Sequence, residues 1–175
     1  RVTPFLEAQG HRVVPVTLPG PAERTDELGP AIGLRAHVDD TVRRIETTDL
    51  REVIRVGHSY AGAVVGGVAR RIPHRIRAQV YVDTMPLAEG ASRLDGFSPE
   101  GQARFEGAVR TVHGTRVWPV PEPLGSQAPG EGLSPSDIDL IRSRGTPHPA
   151  LVFEERLTGP VKRGPYPTSY AISCV

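Results

Sequence analysis

The segment Gly57-His58-Ser59-Tyr60-Ala61-Gly62 holds the residues whose types and spacing could do chemistry. A serine with Gly two residues before it and Ala two residues after it matches the G-x-S-x-G signature of a nucleophile elbow, with Ala61 where glycine is commoner. The composition has a steric reason. A sharp strand-to-helix turn holds the serine in a strained conformation with its hydroxyl aimed out of the sheet, and larger neighbours two residues away would collide with the turn. The chemistry so positioned is nucleophilic attack on a carbonyl, with the helix N-terminus facing the negative charge that develops. A plain strand–helix turn would also use Gly and Ser, so the pattern acquires meaning only from the elements around it.

Those elements are present. Glu52 to Val56 reads as a buried strand, and Ala61 to Arg71 as a helix that stops before Pro73. Gly62, Ala63, Gly66, Gly67 and Ala69 would let that helix approach the sheet closely. Upstream, Leu34, Val38, Val42 and Ile45 share one helical face, while Asp39/Arg43 and Asp40/Arg44 form i,i+4 pairs on the other. Val2 to Gln9 predicts a short helix stopped by Gly10, and His11 to Thr17 a strand near a sheet edge, where Pro15 is tolerated. In Arg77 to Val82, Ala78, Val80 and Val82 alternate with Gln79 and Tyr81, as in a further strand. Strands alternating with helices imply an α/β fold whose parallel sheet carries helices on both faces. Arg55 is discordant, because a guanidinium in a central strand needs a carboxylate or a route to solvent.

Composition divides the chain. Gly 19 and Pro 18 are well above the usual share, and the excess gathers between Met85 and Pro165. Within that region short helices are expected at Glu100 to Val112 and Pro135 to Arg144, whereas Pro119 to Gly132 excludes a continuous helix or an interior strand. Regular structure returns at Thr168 to Val175, which reads as one more buried strand. Lys+Arg 21 against Asp+Glu 20 leaves a net charge of +1, without the basic excess that nucleic acid or an anionic membrane surface requires. Apolar runs are a handful of residues, far below the roughly 20 of a membrane-spanning helix. The single cysteine, Cys174, cannot form an internal disulfide and reads as a buried thiol.

The run Phe5-Leu6-Glu7-Ala8-Gln9-Gly10-His11-Arg12-Val13, then Leu18-Pro19-Gly20, Val56-Gly57-His58-Ser59 and Val80-Tyr81-Val82-Asp83 resembles an α/β-hydrolase fold protein. Within that superfamily it is similar to the small esterases related to plant methyl esterases and hydroxynitrile lyases, particularly their bacterial relatives. The likeness continues through Arg144-Gly145-Thr146-Pro147-His148-Pro149. It implies a partial α/β-hydrolase fold, a mostly parallel sheet with flanking helices and an inserted cap: a core over 1–84, a cap or lid over 85–165 and a return strand over 166–175. It implies that Ser59 is the nucleophile toward a small-molecule carboxylic ester, that the Tyr60 backbone N–H is one oxyanion donor, and that Gly57, His58, Ala61 and Gly62 complete the elbow. No cofactor and no metal enter that chemistry. The second oxyanion donor would come from a His-Gly loop ahead of Arg1, and the catalytic histidine would follow the last strand, beyond Val175. For the acid, the esterases imply a position just after Val175, while Asp83 ends a strand beside the elbow strand, where other α/β-hydrolases place theirs. Asp83 would equally suit a turn. Phe97, Phe105 and Trp118 would line an apolar site or form the cap's own core. A ligand-binding member without turnover, or lyase chemistry on cyanohydrins, would use the same fold.

Among the histidines, His58 is expected to point away from the serine hydroxyl. His11, His37 and His74 read as solvated or capping residues, and His113 and His148 as parts of the cap. The chain opens on Arg1 and stops on an apolar run, so it reads as a fragment.

Overall fold

A computed structural model describes residues 2–120, 134–158 and 164–171. Helix α1 (Thr3–Glu7) ends where Gly10 takes φ +87°. Helix α2 (Leu34–Thr47) leads to strand β1 (Val53–His58), helix α3 (Ala61–Arg71) and strand β2 (Ile76–Val82). After these come α4 (Pro99–Ala108), β3 (Arg110–Val112), β4 (Thr115–Trp118), α5 (Pro135–Arg144), β5 (His148–Pro149), α6 (Leu151–Glu154) and β6 (Thr168–Ala171). Strands β1, β2 and β6 form a parallel sheet in that order, with Gly57 opposite Tyr81 and His58 opposite Val82. The architecture is α/β, as the alternation of strands and helices indicated.

The periodic stripe of α2 forms the main core. Leu34, Val38, Val42 and Ile45 are buried together with Ala63, Val64, Val68 and Ile72 of the α3 region. Each buried Leu, Val or Ile side chain contributes on the order of 1.5–3 kcal/mol. Gly66 leaves room beside the Tyr81 hydroxyl, but Gly67 faces α2, where an added Cβ would lie 2.5 Å from Val38 Cγ2. Part of the small-residue stripe therefore serves helix–helix contact. The expected i,i+4 pairs on α2 give way to partners from elsewhere: Asp39 accepts from Arg71, and Asp40 accepts two bonds from Arg24. A neighbouring element can offer bidentate geometry that one helical turn does not.

In β1, Arg55 and Gly57 face inward, while Ile54 and Val56 are 47% and 58% exposed. The Arg55 side chain resolves its discordance without a carboxylate. It turns under the sheet and donates to the carbonyls of Val65 at 2.5 Å and Val64 at 3.3 Å on α3, and burial lowers its pKa to about 10. On β2 the inward set is Gln79 and Tyr81, joined by a 2.6 Å hydrogen bond, rather than the alternating Ala78, Val80 and Val82. The polar pair keeps company with Arg55, to whose register position Gln79 belongs.

Two strand expectations are corrected. His11 to Thr17 forms no strand: no described strand runs beside it, so its β-branched side chains have no ladder to join, and Val14 and Val16 are exposed. Pro15 accordingly marks no sheet edge. The last strand is exposed rather than buried, because it lies at the end of the described sheet with Tyr170 stacked on Tyr81 at 5.4 Å. Residues 172–175, including Cys174, and residues 121–133 lie outside the described residues.

Between β2 and β6 stands a second, antiparallel sheet, β3–β4–β5, which sequence reading did not anticipate. The expected helix to Val112 ends at Ala108, and β3 turns into β4 through His113 (φ +47°) and Gly114 (φ +77°), the paired positive angles that tight hairpins favour. Helix α5 has the expected bounds and a Ser134–Asp137 capping box. Phe105, Ala150, Val152 and Phe153 form a second core with Phe97 and Trp118 packed on it, so those aromatics are core residues here.

Candidate active site

The candidate elbow lies at the junction of β1 and α3. Ser59 has φ +50°, a left-handed conformation that a serine adopts at a cost of roughly 1–3 kcal/mol. Its N–H donates to Val82 O at 3.2 Å, and its carbonyl accepts from Gly62 N–H at 3.0 Å. The steric demand falls chiefly on Gly57, where a Cβ would stand 2.7 Å from both Ala61 O and Val65 Cγ2. At Gly62 a Cβ would meet Thr84 Cγ2 at 2.5 Å. Ala61, by contrast, carries its methyl half-buried, which explains why glycine is dispensable there. Ser59 is exposed, and the Tyr60 N–H makes no hydrogen bond among the described residues. A hydroxyl and an unengaged N–H at the start of a helix can together receive a carbonyl carbon and its developing oxyanion.

The Tyr60 side chain runs into the protein. Its hydroxyl lies 2.9 Å from His37 Nδ1, and His37 Nε2 lies 2.8 Å from Pro19 O. His148 and Phe153 flank the Tyr60 ring at 5.1 and 5.6 Å between centroids. Burial pushes the Tyr60 phenol well above its usual range, lowers His37 to about 4 and lowers His148. His37 is thus no solvated helix residue: its exposure is 0%. The signal for this was in the sequence, since His37 lies on the same helical face as Leu34, Val38 and Thr41. His148 Nδ1 and Thr84 Oγ1 are buried without a hydrogen-bond partner among the described residues.

Asp83 stands at the end of β2 with φ +47°, one residue after the carbonyl that holds Ser59, and its own N–H donates to Ala171 O at 2.7 Å. The carboxylate is exposed. His58 is exposed on the outer row of β1, His11 and His74 lie at the surface, and His113 occupies the hairpin turn. Among the described residues, no group of His, Cys, Asp and Glu is arranged to hold a metal ion, and no helix is long and apolar enough to cross a membrane.

No family model matches the chain. A carbendazim hydrolyzing esterase from Nocardioides sp. (strain SG-4G) is 35% identical over 127 residues, 68% of this chain and 52% of that protein. The chain therefore spans about half the length of the curated relative it matches. An extracellular alpha/beta-hydrolase from a Paenibacillus species, described as sharing structural and functional homology with tobacco salicylic acid binding protein 2, superposes with a TM-score of 0.83 at 25% identity. That alignment covers 97% of this chain and 69% of the other. A polyneuridine aldehyde esterase shares the fold with a TM-score of 0.72 at 17% identity, over 97% of this chain and 71% of its own.

Proposed function

Because the chain belongs to the α/β-hydrolase fold family, we propose that it is the part of a serine hydrolase that carries the nucleophile, and that the whole enzyme cleaves a small carboxylic ester. The observation that carries this reading is the left-handed Ser59 at the β1–α3 junction, over a glycine whose Cβ has no room. Ser59 Oγ attacks the ester carbonyl and passes its proton to a histidine base, which in this reading follows the last strand of the sheet. The tetrahedral oxyanion is held by the Tyr60 N–H; the alkoxide then departs with the proton and leaves an acyl group on Ser59. Water, deprotonated by the same base, attacks the acyl-enzyme; the bond to Ser59 Oγ breaks, the base returns the proton to that oxygen, and the acid is released. Residues 85–165 act as the cap, their aromatic core packed beside Tyr60. Support for an esterase comes from the 35%-identical relative.

The experiment is active-site labelling of the natural-length protein with a fluorophosphonate. Rapid, stoichiometric modification at Ser59 is expected. Labelling no faster than that of an ordinary surface serine would leave a ligand-binding protein without turnover as the better account.

A further inference from the structure

Resting on the reading of Ser59 as nucleophile, we infer that His37 is a positioning residue, which holds the Tyr60 side chain and thereby the peptide N–H between Ser59 and Tyr60 that faces the oxyanion. Tyr60 is packed against both hydrophobic cores, that of α2 and α3 and that of Phe105, Val152 and Phe153. Its backbone (φ −51°, ψ −38°) follows directly on the left-handed Ser59. The Ser59–Tyr60 peptide plane is hung between the Cα atoms of those two residues, and its N–H keeps its place only while both stay put. A Tyr60 side chain packed on two cores and fixed at its hydroxyl holds the second of these points.

The fixation has a defined polarity. Pro19 O can only accept, so the His37 proton resides on Nε2 and Nδ1 is left as an acceptor. The Tyr60 hydroxyl therefore donates to His37, and the buried, neutral imidazole links the 18–20 loop to the elbow. His148 and Phe153 close on the ring from the cap segment, and Gly20 next to Pro19 lies against Pro149, where an added Cβ would be 3.0 Å from its Cγ. A strained residue persists only where its surroundings over-determine it. The contacts from Pro19 to His37 and from His37 to Tyr60 are one such constraint, placed one residue from the strain.

The test compares Tyr60→Phe, His37→Leu, their double mutant and His37→Gln in the natural-length protein. Hydrolysis of p-nitrophenyl acetate, the thermal midpoint and inhibition by a trifluoromethyl ketone, which mimics the tetrahedral adduct, are followed. Tyr60→Phe keeps the peptide N–H and loses only its anchor. Both single variants should lower kcat about tenfold, a fraction of what loss of an oxyanion donor costs, with KM within about twofold and ketone affinity reduced in step with kcat. The double mutant should be no worse than either single, and His37→Gln, whose amide can donate to Pro19 O and accept from Tyr60, should recover to within about threefold. Single variants that keep kcat within twofold, or lose it only in proportion to folded protein, would overturn the positioning role while leaving the hydrolase reading intact. A wild type that a fluorophosphonate does not label at Ser59 would overturn both.

Discussion

The amide of Ser59 is bound to the carbonyl of Val82 across the β1–β2 ladder at 3.2 Å. The nucleophile of the proposed mechanism is therefore tied not only to its own strand and helix but to the end of the neighbouring strand, where Asp83 repeats its left-handed angle. Strained residues end two adjacent strands of the sheet side by side. The rows of hydrogen bonds that hold them have different owners, Val82 for one and Ala171 for the other.

Ser59→Ala removes the attacking oxygen and little else, since the backbone bonds to Val82 and Gly62 do not involve the side chain. Turnover of short p-nitrophenyl esters should fall by about a thousandfold or more with the circular dichroism spectrum unchanged. Activity within a few-fold of the parent at equal folded fraction would remove Ser59 from the mechanism.

Asp83→Asn should lower kcat by less than about tenfold, because the Asp83 carboxylate is exposed and the family resemblance implies an acid after the last strand. A drop of several orders of magnitude would assign the acid to Asp83, which either position could serve by holding a histidine's tautomer.

Gly62 and Thr84 should couple. Ala at 62 would press on the Thr84 side chain at 2.5 Å, and overpacking of this kind costs about 1–3 kcal/mol. Thr84→Ala gives up a buried hydroxyl that has no partner among the described residues, so it should cost little alone and recover about 1 kcal/mol or more of the Gly62→Ala loss. At Gly57 no such rescue is open, because the obstruction includes the Ala61 backbone. Urea unfolding of the double-mutant cycle measures the difference.

Stability should fall in mildly acidic solution because of His37. Burial lowers its pKa from 6.5 to about 4, so in that interval the unfolded chain binds a proton that the folded chain refuses. The contribution is complete above about pH 6.5 and is lost as the pH drops toward 4, by about 3 kcal/mol in all. His148, also lowered by burial, acts in the same direction. Unfolding midpoints measured from pH 4 to 7 should be flatter in His37→Gln than in the parent; parallel curves would mean that His37 takes up its proton without unfolding the protein.

The strand–turn–helix around Ser59 could be read from sequence because each of its requirements is local: Gly57 for clearance, Ser59 at the turn, a β-branched strand before it and a small-residue helix after it. His37 was equally local in its periodicity, yet its partner Pro19 O and the Tyr60 hydroxyl are tertiary facts. The β3–β4 hairpin escaped notice because strands of three and four residues around His113-Gly114 leave almost no alternating pattern to detect. His11 to Thr17 shows the converse, a segment with the residue types of a strand but no described strand beside it. Arg55 looked like an error of pattern until α3 supplied two carbonyls.

That inward turn of Arg55 bears on solubility. It is the only arginine, lysine or carboxylate on β1, and natural sheets keep such charges at open strands to discourage pairing between molecules. Spent on the carbonyls of Val64 and Val65, it leaves the outward row of Ile54 and Val56 without a gatekeeper. Handled as 175 residues alone, the chain should scatter light in a concentration-dependent way and lack a cooperative melt, and Val56→Lys should suppress the scattering. A monodisperse 175-residue chain with a sharp transition would show that the row is harmless as it stands.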